Sequence, residues 1–158
     1  MRIIFAGTRF RDGGVEQNVN RLASALTHEG LTCDYFLGES PSRDVLLNVP
    51  KYTSVDVIET SRRRFFLKLK EHVVRDAPDV VVIFRSTDYT NAIKSLDSAV
   101  PVILLTGAFT SEFLGRKGVR PLRLRYRIRR WWAKADAVLA ISHDIAADWR
   151  MLPSFPSE

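Results

Sequence analysis

The sequence predicts an α/β domain built on a Rossmann-like parallel sheet with helices on both faces. Short apolar runs alternate along the chain with segments of helical period, which is the pattern of repeated βα units. Several of these runs, such as Val80 to Phe84 and Val100 to Leu105, are apolar at nearly every position, as strands covered on both faces must be. The chain of 158 residues, 46% hydrophobic and 27% charged, has the length and composition of one domain with a real core.

The elements follow in order. Arg2 to Gly7 is the first strand. Thr8 to Gly14 is a polar loop ending in Gly13-Gly14. Val15, Val19, Leu22, Ala23 and Leu26 then recur on one face of a helix, and Gly30 stands where a left-handed residue would stop it. Thr32 to Leu37 is the second strand, Gly38 to Lys51 a loop or broken helix, and Val55 to Glu59 a weaker third strand. Arg62 to Arg75 is a helix with an apolar stripe of Phe65 or Phe66, Leu69 and Val73, and Ser61 stands at its N-cap. Asp79 to Phe84 is a strand, Tyr89 to Leu96 a short helix, and Val100 to Leu105 a strand entered through Pro101. Leu122 to Ala135 is a helix, Ala137 to Ile141 the last strand, and Ser142 the N-cap of a helix from His143 to Arg150. The domain therefore spans 1–150, and 151–158, with Pro153 and Pro156, reads as a linker.

In open parallel sheets ligands gather beyond the C-terminal ends of the strands, so the loops that follow strands hold the candidate site residues. Gly13 and Gly14 let the backbone approach a ligand, with the amides and positive dipole end of the first helix behind them. A plain tight turn accounts for the two glycines equally well. Arg9 and Arg11 are placed to pair with a phosphate, or else are solvated loop cations. Arg85, Ser86 and Thr87 follow a buried strand, where they contact sugar hydroxyls or, with Asp88, cap the next helix. Gly107, Phe109 and Thr110 lie in the loop after the fifth strand, and Ser142 with His143 in the loop after the sixth. No histidine or cysteine spacing matches a metal site, and no nucleophile motif appears, so no metal or covalent cofactor is expected.

Strand, polar loop, Gly13-Gly14-Val15-Glu16, a helix carrying Leu22, Ala23 and Leu26, and Gly30 before the second strand resemble the opening of the family-4-like glycosyltransferases. These are retaining, nucleotide-sugar-dependent hexosyltransferases of the two-domain B-type fold. Pro78-Asp79-Val80-Val81-Val82, Val100-Pro101-Val102-Ile103 and Ala135 to Ser142 also resemble recurring segments of that family, so the resemblance covers nearly the whole chain. It implies an N-terminal, acceptor-binding half, working with a C-terminal domain or partner subunit that holds the nucleotide-sugar. The reaction implied is transfer of the sugar to a hydroxyl acceptor. Where many relatives carry a histidine on the loop facing the transferred sugar, this chain has Gly107. A non-catalytic membrane- or partner-docking subunit of the same ancestry is the alternative reading.

The formal net charge is +6, from 24 Lys and Arg against 18 Asp and Glu. Every charged residue from Arg116 to Lys134 is basic, which points to an anionic partner. Arg123, Arg127 and Arg130 follow helical spacing and Trp131 is placed to anchor at an interface, so an anionic membrane surface is the expected partner. A solvated basic helix face is the alternative. No nucleic-acid-binding motif can be placed. Cys33, the only cysteine, sits in an apolar strand as a packed thiol. No run approaches the ~20 apolar residues that span a bilayer, and the N-terminus enters a strand with no secretory h-region. The expected location is cytoplasmic, peripheral on the inner face of the cell membrane.

Overall fold

A computed structural model describes residues 1–11, 13–41, 49–50, 53–85, 87–96, 99–107, 130 and 134–150, with side chains to 147 in the last helix. The strands are β1 (Arg2–Gly7), β2 (Thr32–Leu37), β3 (Val55–Val57), β4 (Val80–Ile83), β5 (Val102–Thr106) and β6 (Ala137–Ala140). Among the described residues the helices are α1 (Gly14–His28), α2 (Arg62–Asp76), α3 (Tyr89–Leu96) and α4 (His143–Arg150). The six strands lie in the order β3-β2-β1-β4-β5-β6, every neighbouring pair parallel. In this doubly wound order β1 and β4 are neighbours at the point where the winding reverses.

Alternation along each strand divides the core in two. Ile4, Ala6, Phe36, Val81, Ile83 and Leu104 point to one face, where α2, α3 and α4 cover them with Phe65, Phe66, Leu69, Val73, Ala92, Leu96 and Ile145. Ile3, Phe5, Cys33, Tyr35, Leu37, Val82 and Phe84 point to the other, against Val19 and Ala23 of α1. Both faces of the sheet are thus covered, which is why the strand sequences read as nearly unbroken apolar runs. Cys33 is buried, as its strand position predicts.

The boundaries of β1, β2, α3 and α4 agree with the sequence, and Gly30 takes φ +82° in the turn after α1. Several details differ. Both Phe65 and Phe66 are buried, in the same core cluster and edge-on to one another. Ser61 occupies the N-cap position of α2 but makes no side-chain capping bond. Its neighbour Arg62 instead turns back towards Asp88, 3.4 Å away. Ala135 lies outside any helix, because Asp136 turns its carboxylate onto the Val102 amide at 2.7 Å to begin β6. The rest of the helix expected over 122–135, apart from Arg130 and Lys134, lies outside the described residues, as does 151–158. His72 is buried, its ring tilted 43° against that of Phe36, and has Asp76 3.3 Å from Nδ1.

The loop from β1 to α1 is polar in sequence yet anchored by an apolar residue. Phe10 is fully buried and packs edge-on against Tyr35 and Phe84. Gly7 makes that possible, since a Cβ there would collide with the Phe84 ring. Gly38 likewise lets β2 leave the sheet, since a Cβ would come within 2.7 Å of the Thr8 carbonyl.

Candidate functional site

The C-terminal ends of β1 and β4 form the switch point of the sheet, where the loops into α1 and α3 leave towards opposite faces, and it is in the crevice beyond such a point that doubly wound sheets bind ligands. Gly13 caps α1 in an extended conformation, with φ −170° and ψ 165°. The Gln17 amide donates to the Gly13 carbonyl at 3.0 Å, so the amides of Gly14, Val15 and Glu16 precede the first intrahelical bond. A side chain on Gly14 would meet nothing within 4 Å, so this end of α1 is open. The amides of this first turn and the helix dipole favour negative charge, and Glu16 places a carboxylate oxygen next to Gly13 at that end.

Glu16 stands in the first turn of α1, almost buried, and accepts a 2.9 Å hydrogen bond from Arg85 Nη1. The guanidinium from the end of β4 is thereby tied to the start of α1, across the switch point. A second tie runs beside it. Asp88, completely buried, accepts from the Thr8 amide at 2.8 Å and from the Thr8 hydroxyl at 2.9 Å. The Asp88 carbonyl meanwhile accepts from Asn91 and Ala92 in the first turn of α3. The backbone of Asp88 thus starts the helix while its carboxylate holds β1.

The other candidates fall around this centre. Arg9 and Arg11 both turn to Glu39, at 3.9 and 2.9 Å, and the bond to Glu39 raises the Arg11 pKa above its ordinary value. Thr87 is exposed next to Asp88. Gly107 ends β5 where Val15 and Ile141 close in. A Cβ there would lie 2.7 Å from Val15 Cγ2 and 3.0 Å from Ile141 Cδ1. The absence of a side chain at 107 therefore lets the loops after β1, β5 and β6 meet. Ser142 caps α4, accepting from the Ile145 amide at 3.2 Å, and His143 is exposed at the first position of that helix. Ser86, Phe109, Thr110, Arg123, Arg127 and Trp131 lie outside the described residues, and Arg130 is exposed. Among the described residues no group of three His, Cys, Asp or Glu side chains is arranged to hold a metal ion.

Thr8, Glu16 and Asp88 complete this centre, and their places in the sequence do not mark any of the three as a ligand contact. Glu16 carried a signal, a carboxylate on the otherwise apolar-facing first turn of a helix. Asp88 was legible only as a cap, because its partner lies 80 residues away in sequence.

No protein-family model matches the chain, and no curated sequence matches it. Solved structures do. Anabaena HepE in complex with UDP and glucose aligns over 98% of this chain with TM-score 0.67 and 15% identity. The lipopolysaccharide outer core galactosyltransferase WaaB aligns over 97% with TM-score 0.62 and 14% identity, and an α-glucosyltransferase in complex with UDP over 99% with TM-score 0.53 and 17% identity. These proteins are glycosyltransferases of the B-type, two-domain fold. The chain has the fold of one Rossmann-like half of a B-type glycosyltransferase. It spans 42%, 43% and 40% of the three neighbours' lengths respectively.

Proposed function

We propose that this domain is the acceptor-binding half of a nucleotide-sugar-dependent glycosyltransferase. What supports this reading is the β1–β4 switch point with the N-terminus of α1 beside it, in a fold shared with glycosyltransferases solved with UDP or UDP-glucose. The reaction transfers a hexosyl group from the nucleotide-sugar to a hydroxyl acceptor, with retention. Its donor is held mainly by a C-terminal domain or partner subunit. On this side, Gly13, Gly14 and the α1 amides stabilise charge developing on the leaving diphosphate. Arg85, fixed by Glu16, presents its remaining N–H groups to the crevice, where Thr87, Ser142 and His143 supply further polar contacts. Gly107 leaves that loop without the imidazole many relatives carry.

Saturation-transfer NMR with the purified chain tests this. The probes are UDP-glucose and neutral sugars such as glucose and galactose, together and separately. Transfer to a sugar that weakens at least fivefold in Arg85→Ala is expected. Absence of transfer to every probe, at millimolar concentration, overturns the reading.

A peripheral membrane location has its own support. The outward face of α2 exposes Leu67 and Val74, and Arg63, Arg64 and Lys70 flank them in sequence and exposure. Arg63, Leu67, Lys70 and Val74 recur at the spacing of a single helical stripe. No helix among the described residues is long and apolar enough to cross a membrane. Together with the basic run from Arg116 to Lys134, this stripe suits an anionic lipid surface, each cation contributing ~1 kcal/mol. Co-sedimentation with anionic but not neutral vesicles, sensitive to salt and reduced in Arg63→Glu/Lys70→Glu or Arg123→Glu/Arg127→Glu/Arg130→Glu, is the expected result. Equal recovery in the supernatant with both vesicle types would refute it.

A further inference from the structure

A second cluster of charged side chains lies where α2 meets β1, β2 and β3, and the proposed transfer does not use it. At its centre is His72 of α2, buried with its ring against Phe36 of β2. Three charged groups converge on Nδ1. Arg75 Nη2 stands 2.8 Å away, Asp76 Oδ2 3.3 Å, and Asp56 Oδ2, from β3, 3.9 Å. Behind them Arg2 of β1 lies 3.9 Å from Asp76 and is held by Asp34 of β2 at 2.7 Å, while Asp79 accepts from the Arg2 amide. Lys68 and Glu71, both exposed on α2, pair with each other at 2.7 Å.

The Arg75 contact fixes the state of the ring. A guanidinium has only donors, so Nδ1 accepts from it and carries no proton, and the neutral ring has its hydrogen on Nε2. Arg75 Nη2 also donates to Asp76 Oδ2 at 3.1 Å, so it sits between the imidazole and the carboxylate. A proton on Nδ1 breaks this arrangement, because two donors would then face each other at 2.8 Å. The new N–H has two acceptors close by, Asp76 on its own helix and Asp56 on the sheet. The hydrogen bond from Arg75, helped by the charges of His72 and Arg2, holds the Asp76 carboxyl below its ordinary range, so it is present as an anion. With Asp34, Asp56, Asp76 and Asp79 set against Arg2 and Arg75, the surroundings carry excess negative charge, which an imidazolium offsets.

We propose that His72 is a proton-operated clasp between α2 and the edge strand β3: a proton taken up at Nδ1 releases Arg75 from the ring and ties the imidazolium to Asp56 and Asp76. β3 is the element such a tie affects most. It is three residues long and pairs with β2 alone. It leads on to Glu59, which accepts from Ser40, the neighbour of the Glu39 that holds Arg9 and Arg11. A proton on a buried ring is thereby felt in the loops at the C-terminal ends of β1 and β2. Histidine is the side chain that takes up a proton between about pH 8 and about pH 5, so falling pH closes the clasp.

Heteronuclear NMR of the whole chain, titrated from about pH 8 to about pH 5, tests the proposal. At the alkaline end the ring nitrogens of His72 should show hydrogen on Nε2 alone. As the imidazole takes up its proton, the amide resonances of Val55, Asp56 and Val57 should move with the same midpoint, and the Arg75 side-chain signal should move with them. In Asp56→Asn, a change at an exposed position, the ring should still titrate while the β3 amides lose most of that movement. His28 and His143, both exposed, serve as internal controls whose titration leaves β3 unmoved. A proton on Nδ1 at the alkaline end, or a ring that does not titrate, would overturn the proposal. So would β3 amides that stay still, or that move equally in wild type and Asp56→Asn.

Discussion

Arg85 and Glu16 meet across the switch point of the sheet, Nη1 to Oε1 at 2.9 Å, the carboxylate 8% and the guanidinium 28% exposed. One comes from the end of β4 and the other from the first turn of α1, so the pair ties the two loops that border the crevice. The two partners are not equally solvated, and that inequality has a measurable consequence. Removing the arginine strands a carboxylate in a nearly dry site. Removing the glutamate leaves a guanidinium that water still reaches.

Arg85→Ala should therefore destabilise the fold by about 3 kcal/mol. Glu16→Ala should cost about 1–2 kcal/mol, the exposed partner being partly rescued by solvent. Chemical denaturation of both single variants and of the double variant checks this. A double variant no less stable than Arg85→Ala alone is the expected sign of direct coupling, and additive losses would show the pair to be independent.

Thr8→Val retains the shape of the side chain and deletes its hydroxyl. Asp88, with no exposed surface, then keeps the Thr8 amide and the more distant Arg62 as its remaining donors. A loss of about 1–3 kcal/mol is expected in thermal unfolding. The loss should be larger than for Thr87→Val, which alters an exposed threonine beside it.

Gly107→Ala places a methyl 2.7 Å from Val15 Cγ2 and 3.0 Å from Ile141 Cδ1. Overpacking of this kind costs about 1–3 kcal/mol. Val15→Ala, destabilising alone, should recover part of that loss when combined with Gly107→Ala, as read from the denaturation midpoint. Gly107→His should be the more damaging, since an imidazole must pass the same two side chains before it reaches the crevice.

Asp34 governs part of the acid limb of stability. Burial alone would raise its pKa, but hydrogen bonds from the Ser54 hydroxyl and amide and from Arg2 outweigh it and hold the carboxyl below the usual range. A carboxyl depressed in the folded state stabilises fully above its unfolded pKa, about 3.9, and that contribution is lost as pH falls through the folded value. Unfolding free energy measured from about pH 6 down to about pH 2 should fall less steeply in Asp34→Asn than in the wild type. An unchanged slope would remove Asp34 from the account.

Local pattern alone located most of the fold. Apolar runs bounded by proline and glycine placed all six strands, and the recurrence of Val15, Val19, Leu22, Ala23 and Leu26 placed α1, because a strand covered on both faces and a helix covered on one leave different periods in the chain. Gly13-Gly14-Val15-Glu16 also carried the resemblance to B-type glycosyltransferases, whose fold the solved structures share. Strand order was not written in any local window, and it alone decides that β1 and β4 are neighbours. With that neighbourhood come the contacts of residues far apart in sequence: Glu16 with Arg85, Thr8 with Asp88, and Gly107 with Val15. Arg9 and Arg11 show the same limit from the other side. In sequence they are loop cations free for a phosphate, and only the approach of the β2 loop gives them Glu39. The sequence determined which residues stand at strand ends. The tertiary structure decided which of those are already paired with one another, because pairing depends on distances that a parallel sheet sets between segments, not within them.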